Sequence, residues 1–258
     1  MGHMYDDTKT WNPFVGCDEK VAGCIYCKPS FKAQLKRQRC PKCKTYEPHY
    51  HPERLTRIPS AKRIFVCGTG DIRFATVPQF RAILEAVKAH SEKHPETEYF
   101  FQSKFPSIFN MYVNSLPKTA VIITTLETNR DTDYEKISKA PLPMRRWIEF
   151  RMVDHPRKIL TVEPLLDFDL DIFKGMIISV KPLAVYIGYN SRPKQVKLPE
   201  PSWSKVRALI EALEAAGIEV RPKDLRRTSC KARISDISCG VDEVLIPEEE
   251  CPCDRWKS

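Results

Sequence analysis

Cys17, Cys24 and Cys27 crowd one short stretch, Trp11-Asn-Pro-Phe-Val-Gly-Cys-Asp-Glu-Lys-Val-Ala-Gly-Cys-Ile-Tyr-Cys27. Three thiolates converging from one loop suit a 4Fe–4S cluster, which needs four ligands. If the protein supplies only three, one iron stays open. An open iron binds a small molecule, so the cluster is a reagent and not a staple. The residue before the last cysteine is aromatic, Tyr26.

Two further groups of cysteines have ligand spacing. Cys40 and Cys43 form a Cys-x-x-Cys pair whose short bite suits zinc or iron–sulfur. His49 and His51 follow closely and would complete a two-Cys two-His zinc set. Their spacing is tighter than that of the usual finger, and His51 also opens a His-Pro-Glu-Arg-Leu stretch that reads as a structural loop. Cys230, Cys239, Cys251 and Cys253 form another complete ligand set, for a second cluster or zinc. A third pairing joins Cys40 and Cys43 to Cys251 and Cys253, closing the two ends of the fold. Spacing leaves these pairings open, with free thiols as the plainer alternative. A second cluster would relay an electron or bind substrate; a zinc would brace the structure. Cys67, inside an apolar run, reads as a small buried side chain.

The elements that must position these residues follow from periodicity. Apolar runs beginning at Arg63, Glu98, Thr119, Lys158, Leu183 and Ile218 read as six strands. Between them, Val77 to Ala89 is expected as a helix with Phe80, Ile83, Leu84 and Val87 on one face. Short helices are expected from Ser107 to about Asn114 and from Tyr134 to Lys139. A longer one, from Ser202 to Ala216, buries Trp203, Val206, Leu209, Ile210 and Leu213 and stops at Gly217. Strands alternating with helices imply parallel pairing and an α/β fold. Each strand ends in polar or small residues: Gly68-Thr69-Gly70-Asp71, Gln102-Ser-Lys104, Thr124-Thr-Leu-Glu127, Thr161-Val-Glu163, Gly188-Tyr-Asn190 and Lys223-Asp224. In parallel α/β barrels the carboxyl ends of strands face a common site, so these residues are candidates to line one.

Bulk properties bound the rest. With 258 residues and 42% hydrophobic content, the chain can bury a full core as one domain. No apolar run reaches about eighteen residues and no leader pattern is present, so a soluble cytoplasmic protein with no membrane partner is expected. In a reducing compartment, ten tightly clustered cysteines hold metal more readily than disulfides. Forty-two Lys and Arg against 33 Asp and Glu give a net charge of +9, which favours an anionic partner such as nucleic acid. Phe31 to Arg39 is a basic, helix-prone segment beside the cysteine loop, and Arg221 to Arg233 adds a second basic stretch. A solvated basic surface explains much of the same charge.

The ordered motifs resemble those of the phage Gp37/Gp68-type family, a radical-SAM-like group within the radical S-adenosylmethionine superfamily. The likeness is carried by Trp11-Asn12-Pro13 before Gly16-Cys17, then Gly23-Cys24 and Cys27, His51-Pro-Glu-Arg-Leu55, Ile64-Phe-Val ahead of Asp71, Gln102 and Lys104, and Val162-Glu-Pro-Leu-Leu166. It runs from about residue 11 to about residue 224. The six-then-two cysteine spacing departs from the three-then-two spacing more common in the superfamily, and Cys27-Lys-Pro stands where the family usually has Cys-Tyr-Ala.

The resemblance implies a partial (β/α)6 TIM-like barrel; with the late cysteines of this chain beyond it, the expected division is a barrel over residues 1–228 and a Cys-rich C-terminal segment, 229–258, packed on it. It implies a 4Fe–4S cluster on Cys17, Cys24 and Cys27, and S-adenosylmethionine chelating the open iron. The reduced cluster would cleave the sulfonium to methionine and a 5′-deoxyadenosyl radical. Tyr26 would pack near the adenine, and Gly68, Thr69, Gly70 and Asp71 would meet the methionine amino group. Lys104 would pair with its carboxylate, and Glu127, Thr161 and Glu163 would meet the ribose hydroxyls. Lys104 and Lys223 have an ordinary alternative as ion-pair partners of those acids.

The expected function is therefore a radical enzyme acting on a nucleic acid or nucleotide-like substrate, supplied with electrons by a donor protein. The rivals are a non-enzymatic zinc or iron–sulfur protein that grips nucleic acid, and an electron carrier. Substrate, reaction outcome and oligomeric state are not written in the sequence. Tyr189 and Cys239 are chemically able hydrogen-atom donors, but nothing selects either.

Overall fold

In the computed structural model of the chain, residues 7–223 and residue 225 are described. In chain order, β1 (Thr8–Trp11) and β2 (Phe14–Val15) are followed by three short helices, α1 (Glu19–Ala22), α2 (Cys27–Lys36) and α3 (Pro41–Thr45). Then come β3 (His49–Tyr50), β4 (Arg63–Val66), α4 (Val77–Lys93), β5 (Glu98–Gln102) and β6 (Ala120–Thr125). The second half holds α5 (Pro143–Met152), β7 (Lys158–Val162), α6 (Leu170–Val180), β8 (Ala184–Ile187), α7 (Trp203–Ala215) and β9 (Glu219–Pro222).

Strands such as Ala-Val-Ile-Ile-Thr-Thr in β6 are buried on both faces, as a sheet covered on both sides requires. Seven strands pair in parallel in the order β1-β4-β5-β6-β7-β8-β9. Sequential winding of this kind makes the open barrel expected from the sequence. Strand period 2 sorts the side chains into two layers. Ile64, Val66, Tyr99, Phe101, Ile122, Leu160, Val162 and Val185 belong to the large core shared with the helices. Phe65, Phe100, Val121, Ile123, Ile159, Ala184 and Tyr186 form the opposite layer, inside the curve.

Helix α4 starts on a capping box between Thr76 and Gln79 and buries Phe80, Ile83, Leu84 and Val87, the face expected, though it runs one turn past Ala89. Helix α7 buries the five residues named for it. Each such fully buried apolar side chain contributes about 1.5–3 kcal/mol.

Four expectations change. A seventh strand, β1, joins the six expected; its sequence carries no strand signal, because Thr8, Lys9 and Thr10 are not buried and only Trp11 enters the core. The segment expected as a helix from Ser107 is two 3₁₀ turns, Pro106–Met111 and Val113–Ser115, and the one from Tyr134 is a single turn, Tyr134–Lys136. Two full helices, α5 and α6, replace what had no assignment. In α6 the run Met-Ile-Ile-Ser-Val is apolar almost all round, which hides its period; in α5 the buried face includes Arg146. No helix among the described residues is long and apolar enough to cross a membrane. Segment 229–258, with Cys230, Cys239, Cys251 and Cys253, lies outside the described residues.

Candidate active site

The cysteine loop leaves β1 and is held in place by close backbone packing that requires glycine. Gly16 has φ +91°, and a Cβ there would come 2.4 Å from the Glu47 carbonyl oxygen. The Gly16 N–H donates to the Thr69 carbonyl (2.9 Å), and the Asp71 N–H donates to the Gly16 carbonyl (3.2 Å). Gly70 pairs with Gly16 so closely that a Cβ on Gly70 would meet the Gly16 nitrogen at 2.5 Å. The Asn12 side-chain oxygen accepts the Thr69 N–H (3.1 Å). Thus the Gly68–Asp71 turn at the end of β4 is laced to the residues before Cys17. Past Cys17, Asp18 caps α1 by accepting the Lys20 N–H, and Cys27 begins α2.

Cys17, Cys24 and Cys27 all line one cavity of about 770 Å³ at the carboxyl end of the strands. Cys17 Sγ lies 3.8 Å from the Tyr46 hydroxyl. Cys24 Sγ lies 3.0 Å from Ser138 Oγ and accepts from Lys104 Nζ at 3.4 Å. Burial, with Asp71 nearby, raises the Cys17 thiol. Cys24 and Cys27 share a hydrogen bond that lowers Cys24 and raises Cys27, and Cys24 faces Lys104.

Behind this wall is a buried ionic network. Glu127 and Arg146 are both 0% exposed. Arg146 Nη2 donates to Glu127 Oε2 (2.7 Å) and to the Tyr134 hydroxyl (2.7 Å). Glu127 Oε1 accepts from Tyr26 (2.6 Å), from Tyr134 (2.9 Å) and from Lys104. Burial opposes ionisation of Glu127, but the Arg146 and Lys104 charges outweigh it and hold the carboxyl at about 2. Burial likewise disfavours the Lys104 ammonium, yet the negative charges at Cys24 and Glu127 raise it. Arg146, Tyr134, Ser138 and Tyr46 were not singled out as site residues, and no spacing in the sequence marks them.

The cavity floor is the inner face of the sheet where it turns polar. Two residues beyond the apolar layer, Gln102, Thr125 and Thr161 join. Gln102 Nε2 donates to Thr125 (2.8 Å) and Thr161 (3.1 Å), and the two hydroxyls lie 2.9 Å apart. Glu163 pairs with Lys223 at 2.7 Å on the same wall. Of the residues expected around a bound S-adenosylmethionine, Tyr26, Thr69, Gly70, Asp71, Lys104, Thr161 and Glu163 line the cavity. Gly68 packs beneath, its α-carbon turned toward Phe65 and Thr10. Asp71 is buried, which raises its pKa, and accepts from Ser103 Oγ (2.7 Å) and from the Lys104 and Arg73 amides (2.8 and 2.9 Å). Glu127 is drawn into the ionic network behind the wall, and Lys104 and Lys223 make the ion pairs with Glu127 and Glu163 that were their ordinary alternative.

The donor set fits an iron–sulfur cluster. Three cysteines open on one cavity, and no fourth cysteine among the described residues lines it. Their sulfurs are not drawn together as tightly as one ion asks: among the described residues, the set of donors packed within 4.8 Å of one another is Cys40, Cys43, His49 and His51.

The fold is similar to that of a radical SAM methyltransferase. A radical SAM methyltransferase from Sphaerobacter thermophilus superposes with a TM-score of 0.54 at 13% identity, covering 85% of this chain and 66% of that one. The chain thus spans just under two thirds of that enzyme's length. A spore photoproduct lyase variant, solved with AdoMet and a dinucleoside spore photoproduct, gives a TM-score of 0.48 at 11% identity over 85% of this chain and 63% of the other. These are likenesses of fold. No protein-family model matches the sequence, and no curated protein matches it.

Proposed function

We propose that the chain is a radical S-adenosylmethionine enzyme of the Gp37/Gp68-like type, acting on a nucleic acid or nucleotide-like substrate and reduced by an electron-donor protein. The observation that carries this reading is the opening of Cys17, Cys24 and Cys27 onto one cavity at the carboxyl ends of a parallel open barrel. When bound, the 4Fe–4S cluster supplies the electron that cleaves the cofactor to methionine and a 5′-deoxyadenosyl radical.

The chain's own residues bind and orient. Tyr26 lines the cavity and is our candidate to pack near an adenine, while its hydroxyl is tied down by Glu127. Lys104 is the cation on the wall nearest Cys24 and suits a carboxylate of the cofactor. Thr161, with Gln102 and Thr125, presents hydroxyls and an amide to ribose, and Glu163 is a carboxylate acceptor for the same diol. Glu127 acts as a positioning residue, holding Tyr26 and Lys104 from behind. The turn Thr69–Gly70–Asp71, laced to the cysteine loop by backbone hydrogen bonds, is our candidate for the cofactor's amino end.

The substrate class rests on charge. Lys28 and Lys139 are exposed on the cavity wall, and Lys36, Arg37 and Arg39 continue the basic surface along α2 and beyond. Such a rim draws a phosphate backbone toward the opening.

Anaerobic reconstitution tests the reading. About four iron and four sulfide per cysteine loop, a brown protein, and release of 5′-deoxyadenosine with dithionite and S-adenosylmethionine are expected. Cys24→Ala should abolish that release. Cofactor cleavage persisting in Cys24→Ala would overturn the ligand assignment, and a colourless protein that takes up no iron would overturn the function.

A further inference from the structure

Cys40 and Cys43 lie in the first turn of a short helix, with Cys40 at the N-cap and Pro41 fixing the helix start. That turn sets the two sulfurs side by side. The helix ends on Tyr46 in the left-handed conformation (φ 64°), which reverses the chain into β3. His49 and His51 are two residues apart in extended backbone, so both face the helix while Tyr50 packs toward the core. Four donors from opposite directions meet, all within 4.8 Å of one another.

The distances match one tetrahedral ion. With zinc–sulfur bonds of about 2.3 Å and zinc–nitrogen bonds of about 2.05 Å at the tetrahedral angle, S and N ligands sit about 3.5 Å apart. The observed separations are 3.5 Å (Cys40 Sγ to His49 Nε2), 3.3 Å (Cys43 Sγ to His49 Nε2) and 3.3 Å (Cys43 Sγ to His51 Nε2). A two-iron cluster with the same residue types puts cysteines on one iron and histidines on the other, so sulfur and nitrogen would stand farther apart.

The imidazoles are also set for metal. His49 Nδ1 lies 2.7 Å from the Glu47 carbonyl, which only accepts, so that nitrogen carries the proton and Nε2 keeps its lone pair. His51 Nδ1 meets the Glu53 carboxylate at 2.8 Å in the same way. Carbonyl and carboxylate partners behind metal-bound histidines are the usual arrangement. Two thiol protons cannot fill three short sulfur–nitrogen contacts; one cation at the centre satisfies all of them.

We propose that Cys40, Cys43, His49 and His51 hold a structural zinc ion. Four protein ligands leave no open position, so the ion braces and does not react. What it braces is the cysteine loop. β3 pairs with β2 just before Gly16, the His51 N–H donates to the Pro13 carbonyl (2.7 Å), and the Cys17 N–H donates to the Tyr46 carbonyl (3.3 Å). The assignment does not depend on the radical chemistry, because the zinc is read on protein that carries no iron.

Metal analysis of full-length protein purified in air without reconstitution should find about one zinc per chain. A variant with Cys230, Cys239, Cys251 and Cys253 all changed to Ser should keep it, as should one with Cys17, Cys24 and Cys27 changed to Ser. Cys43→Ser should lose it. Zinc retained by Cys43→Ser, or lost in either multiple variant, would overturn the site. X-ray absorption on the wild-type protein provides a readout independent of whether Cys43→Ser folds: a shell of two sulfurs and two nitrogens supports the assignment, and a four-sulfur shell, or iron in place of zinc, rejects it.

Discussion

Glu127→Gln removes one charge from the buried network without changing its shape. In the wild type, Glu127 sits between the Arg146 guanidinium and the Lys104 ammonium and accepts the Tyr26 and Tyr134 hydroxyls, with no exposure to solvent. Its carboxyl falls from an ordinary 4.5 to about 2. At about 1.36 kcal/mol per pKa unit, that shift is worth about 3 kcal/mol. Breaking a buried pair by removing one partner costs about 3–5 kcal/mol in general, so the two routes agree.

A loss of about 3 kcal/mol in a domain of this size lowers Tm by about 6–12 °C. The sign with pH follows from the depressed value. The wild-type carboxylate stabilises the fold fully above the unfolded pKa, and that contribution fades as pH falls from about 4.5 toward about 2. Thermal unfolding of cluster-free protein, followed by circular dichroism, should give a constant gap between wild type and variant above pH 5 (about half a unit beyond the carboxylate range) that narrows on acidification. A gap within about 1 °C at neutral pH, or one that does not narrow in acid, would refute the claim that the charge holds this network together.

Other outcomes follow from the same geometry. Gly70→Ala should cost about 1–3 kcal/mol and reduce iron retained after reconstitution, because a Cβ would meet the Gly16 nitrogen at 2.5 Å; unchanged stability and iron content would show that the two loops are not interlocked. Lys104→Met should weaken S-adenosylmethionine binding about tenfold or more by calorimetry, the value of one charge-assisted hydrogen bond; equal affinity would remove Lys104 from the cofactor site. If the basic rim of Lys28, Lys36, Arg37, Arg39 and Lys139 engages three phosphates of a single strand, the logarithm of affinity should fall with the logarithm of salt with a slope of about −2. A flat salt response would rule out a phosphate-backbone partner.

Much of the barrel was legible from local pattern. Six of the seven parallel strands, the buried faces of α4 and α7, and the cysteine loop beside polar strand ends all follow from residue types a few positions apart. Period 2 and period 3.6 are properties of short windows, and a loop carrying three cysteines is its own signal. Three elements carry no clear local pattern. β1 has one buried side chain, α6 is apolar nearly all round, and α5 turns an arginine inward.

The amino-acid order by itself determined an α/β chain with a three-thiol loop and a mouth lined by strand ends. Tertiary structure alone decided which groups meet across long stretches of chain. Glu127 turns back to Arg146, Tyr26 and Lys104, 19, 101 and 23 residues away along the chain. Among the described residues the tertiary structure also brings Cys40 and Cys43 together with His49 and His51. The reason is physical: a buried charge is tolerable only beside its partner, and a thiol is a ligand only where the fold turns other donors toward it. Neither condition can be read from neighbours in sequence.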